Sequence, residues 1–218
     1  MHIDKDRIEV DGRQVRTPKH VHFMLNKPRG LVTTLSDEKG RHTVYSCLSS
    51  DLPWVAPVGR LDKASEGLLL FTNDSEWSAR ILAPEAHIEK TYHVQLGVVA
   101  DSGLIERLME GVISDGNLLR VKQARLLRSG QRNCWIEVVL DEGKNRHIRR
   151  MLKERGVDVL RLVRVAIGPL ELGDLRKGAF REITAEERRA LDEAIGVNER
   201  ERNAVVPQSV RTIRLQQR

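Results

Sequence analysis

Residues 58–74 read VGRLDKASEGLLLFTND, and this stretch decides the fold. Leu68-Leu69-Leu70-Phe71 is the densest apolar run in the chain, so residues 61–72 suit a central strand. Just before it, Gly59 and Gly67 bracket Arg60, Asp62, Lys63, Ser65 and Glu66. Glycines at both ends let the backbone bend sharply, which can hold a carboxylate at the mouth of a pocket. Taken alone, the same residues also read as a solvated loop with a local Arg60–Asp62 or Asp62–Lys63 pair. Just after the run, Asn73, Asp74 or Ser75 can cap a helix through Leu82 that Pro84 ends.

Working outward, residues 21–34 (VHFMLNKPRGLVTT) read as a strand, a Lys27-Pro28-Arg29-Gly30 turn and a second strand. Val10-Asp11-Gly12-Arg13 reads as a short hairpin, because Asp-Gly supplies positive φ angles. On the other side, residues 90–97 suit a strand. Residues 101–110 suit a helix capped by Asp101 and closed by Gly111, and 118–127 and 134–141 suit two further strands. Residues 147–155 suit a helix ended by Gly156, followed by a β-rich stretch over 157–167. Thr184 and Glu187 form a capping box that opens a last helix, to about Ile195. Strands and helices mix without strict βα alternation, which predicts an α+β fold around a largely antiparallel sheet. The expected organisation is a polar N-terminal segment at 1–20, one domain at 21–195, and a basic tail at 196–218. The tail's five Arg, two Glu and scattered aliphatics predict disorder.

Charge says more by its place than by its size. The net charge is +6, and residues 144–164 hold eight Lys or Arg against two acids. That segment therefore carries the whole excess and marks a polyanion site. No run approaches the roughly 18 apolar residues of a membrane span. MHIDKDRIEV at the start has no apolar signal core. Cys47 and Cys134 form no CxxC pair and no disulfide framework. The chain reads as cytosolic, without a membrane partner and without a metal. Aromatic residues are 4% of the chain, which speaks against binding nucleic acid through rows of stacked rings.

Two further segments carry chemistry. Lys90-Thr91-Tyr92-His93-Val94 sets a Tyr between Lys and His on a strand, where it could stack on a base or take part in proton transfer; alone, it reads first as an ordinary core or cross-strand Tyr. In Glu142–Leu152 (EGKNRHIRRML), Arg146, Arg150 and Lys153 fall on one helical face, and Ile148, Met151 and Leu152 on the apolar one. Arg149 lies at the boundary and can reach inward. Phosphates suit this set; a solvated basic face is the plain alternative. His147 has no second His or Cys at ligand spacing, so it reads as a phosphate or structural contact. GxGxxG, GxxxxGK[ST] and HExxH are absent, which leaves a nucleotide cofactor without support.

Five segments in order resemble the RsuA-type ribosomal RNA pseudouridine synthases. They are LNKPRGLVTT (25–34), VGRLDKASEGLLLFTND (58–74), KTYHV (90–94), EGKNRHIRRML (142–152) and LRLVRVAIGPLELGDLRKGAFRE (160–182). The resemblance implies a pseudouridine synthase core, a curved mixed sheet with flanking helices and a central cleft. It implies Asp62 as the catalytic aspartate, Tyr92 as the tyrosine packed on the target base, and Arg149 as the partner of Asp62. Arg60 matches a position associated with holding the opened RNA. Lys27, Lys90, Lys144, Arg146, His147, Arg150 and Lys153 complete the expected RNA contacts. Many relatives begin with a small S4-type RNA-binding domain; here only RIEVDGRQV (7–15) resembles its last hairpin.

The implied reaction detaches uracil from C1′ of its ribose, turns it, and rejoins it through C5. It has no net redox change and needs no cofactor. Asp62 would attack C1′ or remove the 2′ proton, and an Arg within about 4–6 Å would favour the ionised form both roles need. The implied partner is ribosomal RNA, free or within an assembly intermediate, acted on by a monomer. Large-subunit RNA is the first expectation, small-subunit RNA the next and transfer RNA the last. A non-catalytic ribosomal RNA binder or assembly factor is the alternative, and it would not need Asp62, Tyr92 and Arg149 to meet in one cleft.

Overall fold

A computed structural model describes residues 19–196 in full, apart from Asp37, together with the backbone of strands 6–10, 13–15 and 211–214. β1 (Asp6–Val10) and β2 (Arg13–Val15) pair antiparallel with Val10 opposite Arg13, as the Asp-Gly turn predicts. Arg211–Arg214, the last strand, runs parallel to β1. The expected disorder of the tail is therefore corrected at these four residues; 197–210 and 215–218 lie outside the described residues.

The main sheet is mixed, as expected. Its path runs β13 (Phe180–Glu182), β3 (His22–Lys27), β5 (Glu66–Thr72), β11 (Val159–Ile167), β6 (Lys90–Leu96), β10 (Cys134–Leu140) and β9 (Gln123–Ser129). β4 (Ala56–Val58) adds to β5 and β12 (Leu170–Glu171) to β11. Only the β5–β11 pair is parallel.

β5 is buried at every position, which its unbroken apolar run requires. Leu68 and Leu70 face Trp77 and Ile81 of α1 (Ser75–Leu82) and Leu191 of α4 (Ala185–Ala194). Leu69 and Phe71 face Leu61 and Val44. A third cluster joins Val94, Leu96, Ile136, Val138 and Leu162 to α2 (Ser102–Glu110) and α3 (His147–Lys153). The helix caps follow the sequence: Asp74 accepts from Trp77 N, Asp101 accepts from Leu104 N, and Thr184 with Glu187 closes both bonds of its capping box.

Two elements differ from expectation. The second strand after the Lys27–Gly30 turn shrinks to one bridge, Val32 with Thr43. The Thr33 and Thr34 hydroxyls there donate to the carbonyls of Leu61 and Ser36, and so tie the segment to loops. The expected strand at 118–127 is two pieces. Its first part belongs to a hairpin of β7 (Val112–Ser114) and β8 (Asn117–Leu119), turned at Asp115-Gly116, where both φ angles are positive.

At Gly67 the sheet closes most tightly. Its φ is +102°, and a Cβ there would lie 2.2 Å from the carbonyl oxygen of Arg164. Gly67→Ala should therefore cost more than about 2 kcal/mol in urea unfolding. Gly143→Ala, with nothing within 4 Å of its Cβ position, should stay within about 0.5 kcal/mol of the parent.

Candidate active site

The loop between β4 and β5 is held by its backbone. Lys27 Nζ donates to the carbonyls of Pro28 (3.1 Å), Asp62 (3.2 Å) and Ser65 (2.8 Å). Gly30 N donates to Lys63 O at 2.7 Å, and Thr33 Oγ1 donates to Leu61 O at 2.8 Å. Leu61 is buried beneath the loop. The Asp62 side chain is left one-third exposed, with Arg146 Nη1 3.6 Å from its Oδ2.

Arg146 sits at the N-cap of α3 with φ 48°, a left-handed backbone that turns its half-exposed side chain back toward the loop. Arg149 is half-buried. Its Nη2 donates to Ala64 O at 3.1 Å and its Nη1 to Val159 O at 3.4 Å. Burial, and after it the Arg146 charge, pushes Arg149 down, while the Asp62 charge opposes this. Arg149 therefore grips the backbone two residues beyond Asp62, and the direct ion pair belongs to Arg146. This corrects the expected division, in which Arg149 paired with Asp62 and Arg146 served phosphates.

A cavity of about 1140 Å³ opens beside Asp62. Its lining includes Tyr92 and Lys90 on β6, Leu162 and Arg164 on β11, and segment 141–148. Eight Lys or Arg line it against four carboxylates, so its field suits a polyanion. Tyr92 packs between the β6–β11 core and the Leu61–Phe71 core. Arg164 is 6% exposed; its Nε donates to Leu68 O at 2.7 Å, and its Nη2 has no acceptor. Lys90 is pushed down by burial and then by the Arg164 charge, against the pull of Asp141.

Arg60 lines the cavity exposed to solvent, and Lys153 is exposed on α3. Four other expected RNA contacts are buried or paired within the fold. Lys27 is fully buried, with its ammonium on the three carbonyls named above. His147 is 3% exposed, and burial pushes its imidazole down. Arg150 donates to Ser114 O and pairs with Asp115 at 3.0 Å, bracing the β7–β8 hairpin. Lys144 Nζ donates to Leu118 O at 3.0 Å on the same hairpin and pairs with Glu142 at 2.9 Å.

Sequence reasoning missed Glu66 and Arg164. Glu66 is buried and takes both a bidentate pair from Arg161 (3.0 Å for each bond) and the Lys177 ammonium. Burial alone would raise it; the bonds from Arg161 and Lys177 prevail and hold it below the ordinary range. A carboxylate directly before a continuous apolar strand was the available signal.

The family model for RNA pseudouridylate synthase matches residues 21–154, more than half of the chain. The chain belongs to this family. A pseudouridine synthase is an isomerase acting on RNA, and the cavity lies within the matched span except for its β11 wall. Among relatives, an RNA pseudouridine synthase of Aquifex aeolicus is 34% identical over 88% of this chain and 78% of its own length. The ribosomal large subunit pseudouridine synthase B of Bacillus subtilis is 34% identical over 85% of this chain and 77% of its own length. A solved pseudouridylate synthase superposes with a TM-score of 0.70 at 32% identity, covering 79% of this chain and 74% of that one. Among the described residues no helix is long and apolar enough to cross a membrane.

Burial pushes the Lys27 ammonium down to about 8, against the pull of Asp62 and Glu66. In the unfolded chain its pKa returns to the ordinary 10.5. Between those values the unfolded state binds more protons, so stability should rise with pH across the window. Lys27→Met should flatten that rise in urea titrations run at several pH values. Identical slopes for the two chains would show that Lys27 does not titrate there.

Proposed function

We propose that this synthase converts a uridine of large-subunit ribosomal RNA into pseudouridine, with Asp62 as the reacting carboxylate. One observation carries this reading: Asp62 is locked by its backbone yet open by its side chain, at the wall of a cationic cavity that also holds Tyr92. The likeness to the Bacillus subtilis large-subunit enzyme supports the choice of RNA. The catalytic unit is residues 21–195, with 1–20 akin to the last hairpin of an S4 domain. The enzyme works as a monomer in the cytoplasm, on free ribosomal RNA or on an assembly intermediate.

In the reaction the N1–C1′ bond breaks and the C5–C1′ bond forms. N1 gains a proton and C5 loses one, so the product is an isomer and nothing is consumed. Attack at C1′ and removal of the 2′ proton both start from the Asp62 carboxylate, which lies 3.6 Å from Arg146 Nη1. The uridine must leave its stack, at a cost of a few kcal/mol. Phosphate contacts by Arg60, Lys153 and the cavity rim offset this without reading sequence. Tyr92 then stacks on the extruded base. Lys90 and Arg164 bring donors to the side of the cavity where its carbonyl oxygens come to lie.

Asp62→Asn should lower tritium release from 5-tritiated uridine in ribosomal RNA by about 10²-fold or more, with RNA affinity nearly unchanged. Arg149→Ala should stay slow even at saturating RNA, because the loop it grips carries Asp62. Normal release by the Asp62→Asn chain would sink the assignment. No observation favours the binder without catalysis.

A further inference from the structure

The sheet face opposite Tyr92 carries a second cationic surface. Residues alternate faces along a strand, so Tyr92, Val94 and Leu96 point to α2 and α3, while His93 and Gln95 point away. The register across β9, β10, β6 and β11 aligns Arg128, Trp135, Gln95 and Arg161 in one row on that second face. Among the described residues no helix covers this row, and none of its members lines the cavity.

The row is organised around Trp135. Arg128 places its guanidinium carbon 5.0 Å from the ring centroid, and Arg161 places its own 5.4 Å away. Such stacking orients a guanidinium while leaving its in-plane N–H groups free. Arg161 spends Nε and Nη2 on Glu66. Arg128 is exposed and has no acceptor among the described residues; Arg132, at the β9–β10 turn, is likewise exposed and unpaired there. In the next row Arg125 is already neutralised by Glu137 at 2.6 Å. The free cations are thus concentrated at one end of the face, beside an aromatic ring.

We propose that this face is a second RNA-docking surface, where Arg128, oriented by Trp135, and Arg132 engage phosphates of the substrate RNA beyond the cleft. This goes beyond the catalytic reading and rests only on RNA being the substrate. Charge selects the occupant. A second copy would bring the same cationic face, and the chain's own tail has five Arg against two Glu. A polyanion that passes from the cleft round the sheet edge fits the charge.

The test is binding of a large-subunit ribosomal RNA transcript to the full chain across a salt series. Arg128→Gln/Arg132→Gln should raise Kd roughly tenfold near 0.1 M salt. It should also flatten the log–log salt slope by about one per lost contact. Both residues are exposed, so the thermal midpoint should stay put. Asp62→Asn run in parallel should keep parental affinity, which separates failure of this surface from failure of the cleft chemistry. Unchanged Kd and slope in the double variant would overturn the proposal. So would a polyglutamate that binds as tightly as the RNA with the same dependence on the two arginines, since the face would then suit an acidic protein. A polyglutamate whose weak binding ignores the double substitution supports it.

Discussion

Everything at the site hangs on one buried ammonium. Lys27 ends β3, and its three donors go to carbonyls on its own turn and on the loop that carries Asp62. Burying a cation is costly unless acceptors replace its water. Here three carbonyls do so, with the charges of Asp62 and Glu66 nearby. The loop cannot move without stripping that ammonium of partners. Asp62 is therefore positioned through its main chain, which leaves its carboxylate free for chemistry.

The second constraint lies a few residues on. Gly67 lets β5 come against the carbonyl of Arg164, which sets the only parallel pairing in the main sheet. That pairing sets Arg164 opposite Gly67 and brings Glu66 to Arg161, and the antiparallel β11–β6 pairing then places Arg164 beside Tyr92. A short loop and one glycine thus join the aspartate, the aromatic ring and the cationic wall of the cavity.

Long, periodic elements were legible: β5 from its apolar run, α2 from Asp101 and Gly111, α4 from its capping box. The family was legible from the GRLD and HIRR segments together. The destinations of the cations were not. A helical wheel placed Arg146, Arg150 and Lys153 on one phosphate-binding face. In the fold Arg146 turns to Asp62, Arg150 braces a hairpin, and only Lys153 is left open. Arg149, Arg155 and Arg164 likewise donate to main-chain carbonyls. Counting charge locates cations, but their donors are claimed by backbone groups that only tertiary structure brings near. The β7–β8 hairpin was hidden for a related reason. Its Asp115-Gly116 turn is a local signal, but its strands are three residues each and carry no readable period.

β11 gives its two sides different work. Arg161 belongs to the Trp135 row, and Arg164, beyond the next turn of the pleat, belongs to the cavity. Irregularities between Val159 and Arg161 and between Arg164 and Ala166 flank this stretch and pin its frame. Because side chains alternate, losing or gaining one residue between them would swap inside for outside along the strand. Individual side chains here are open to replacement, but the length of the segment is not: among homologues, insertions and deletions should avoid it even where identities drift.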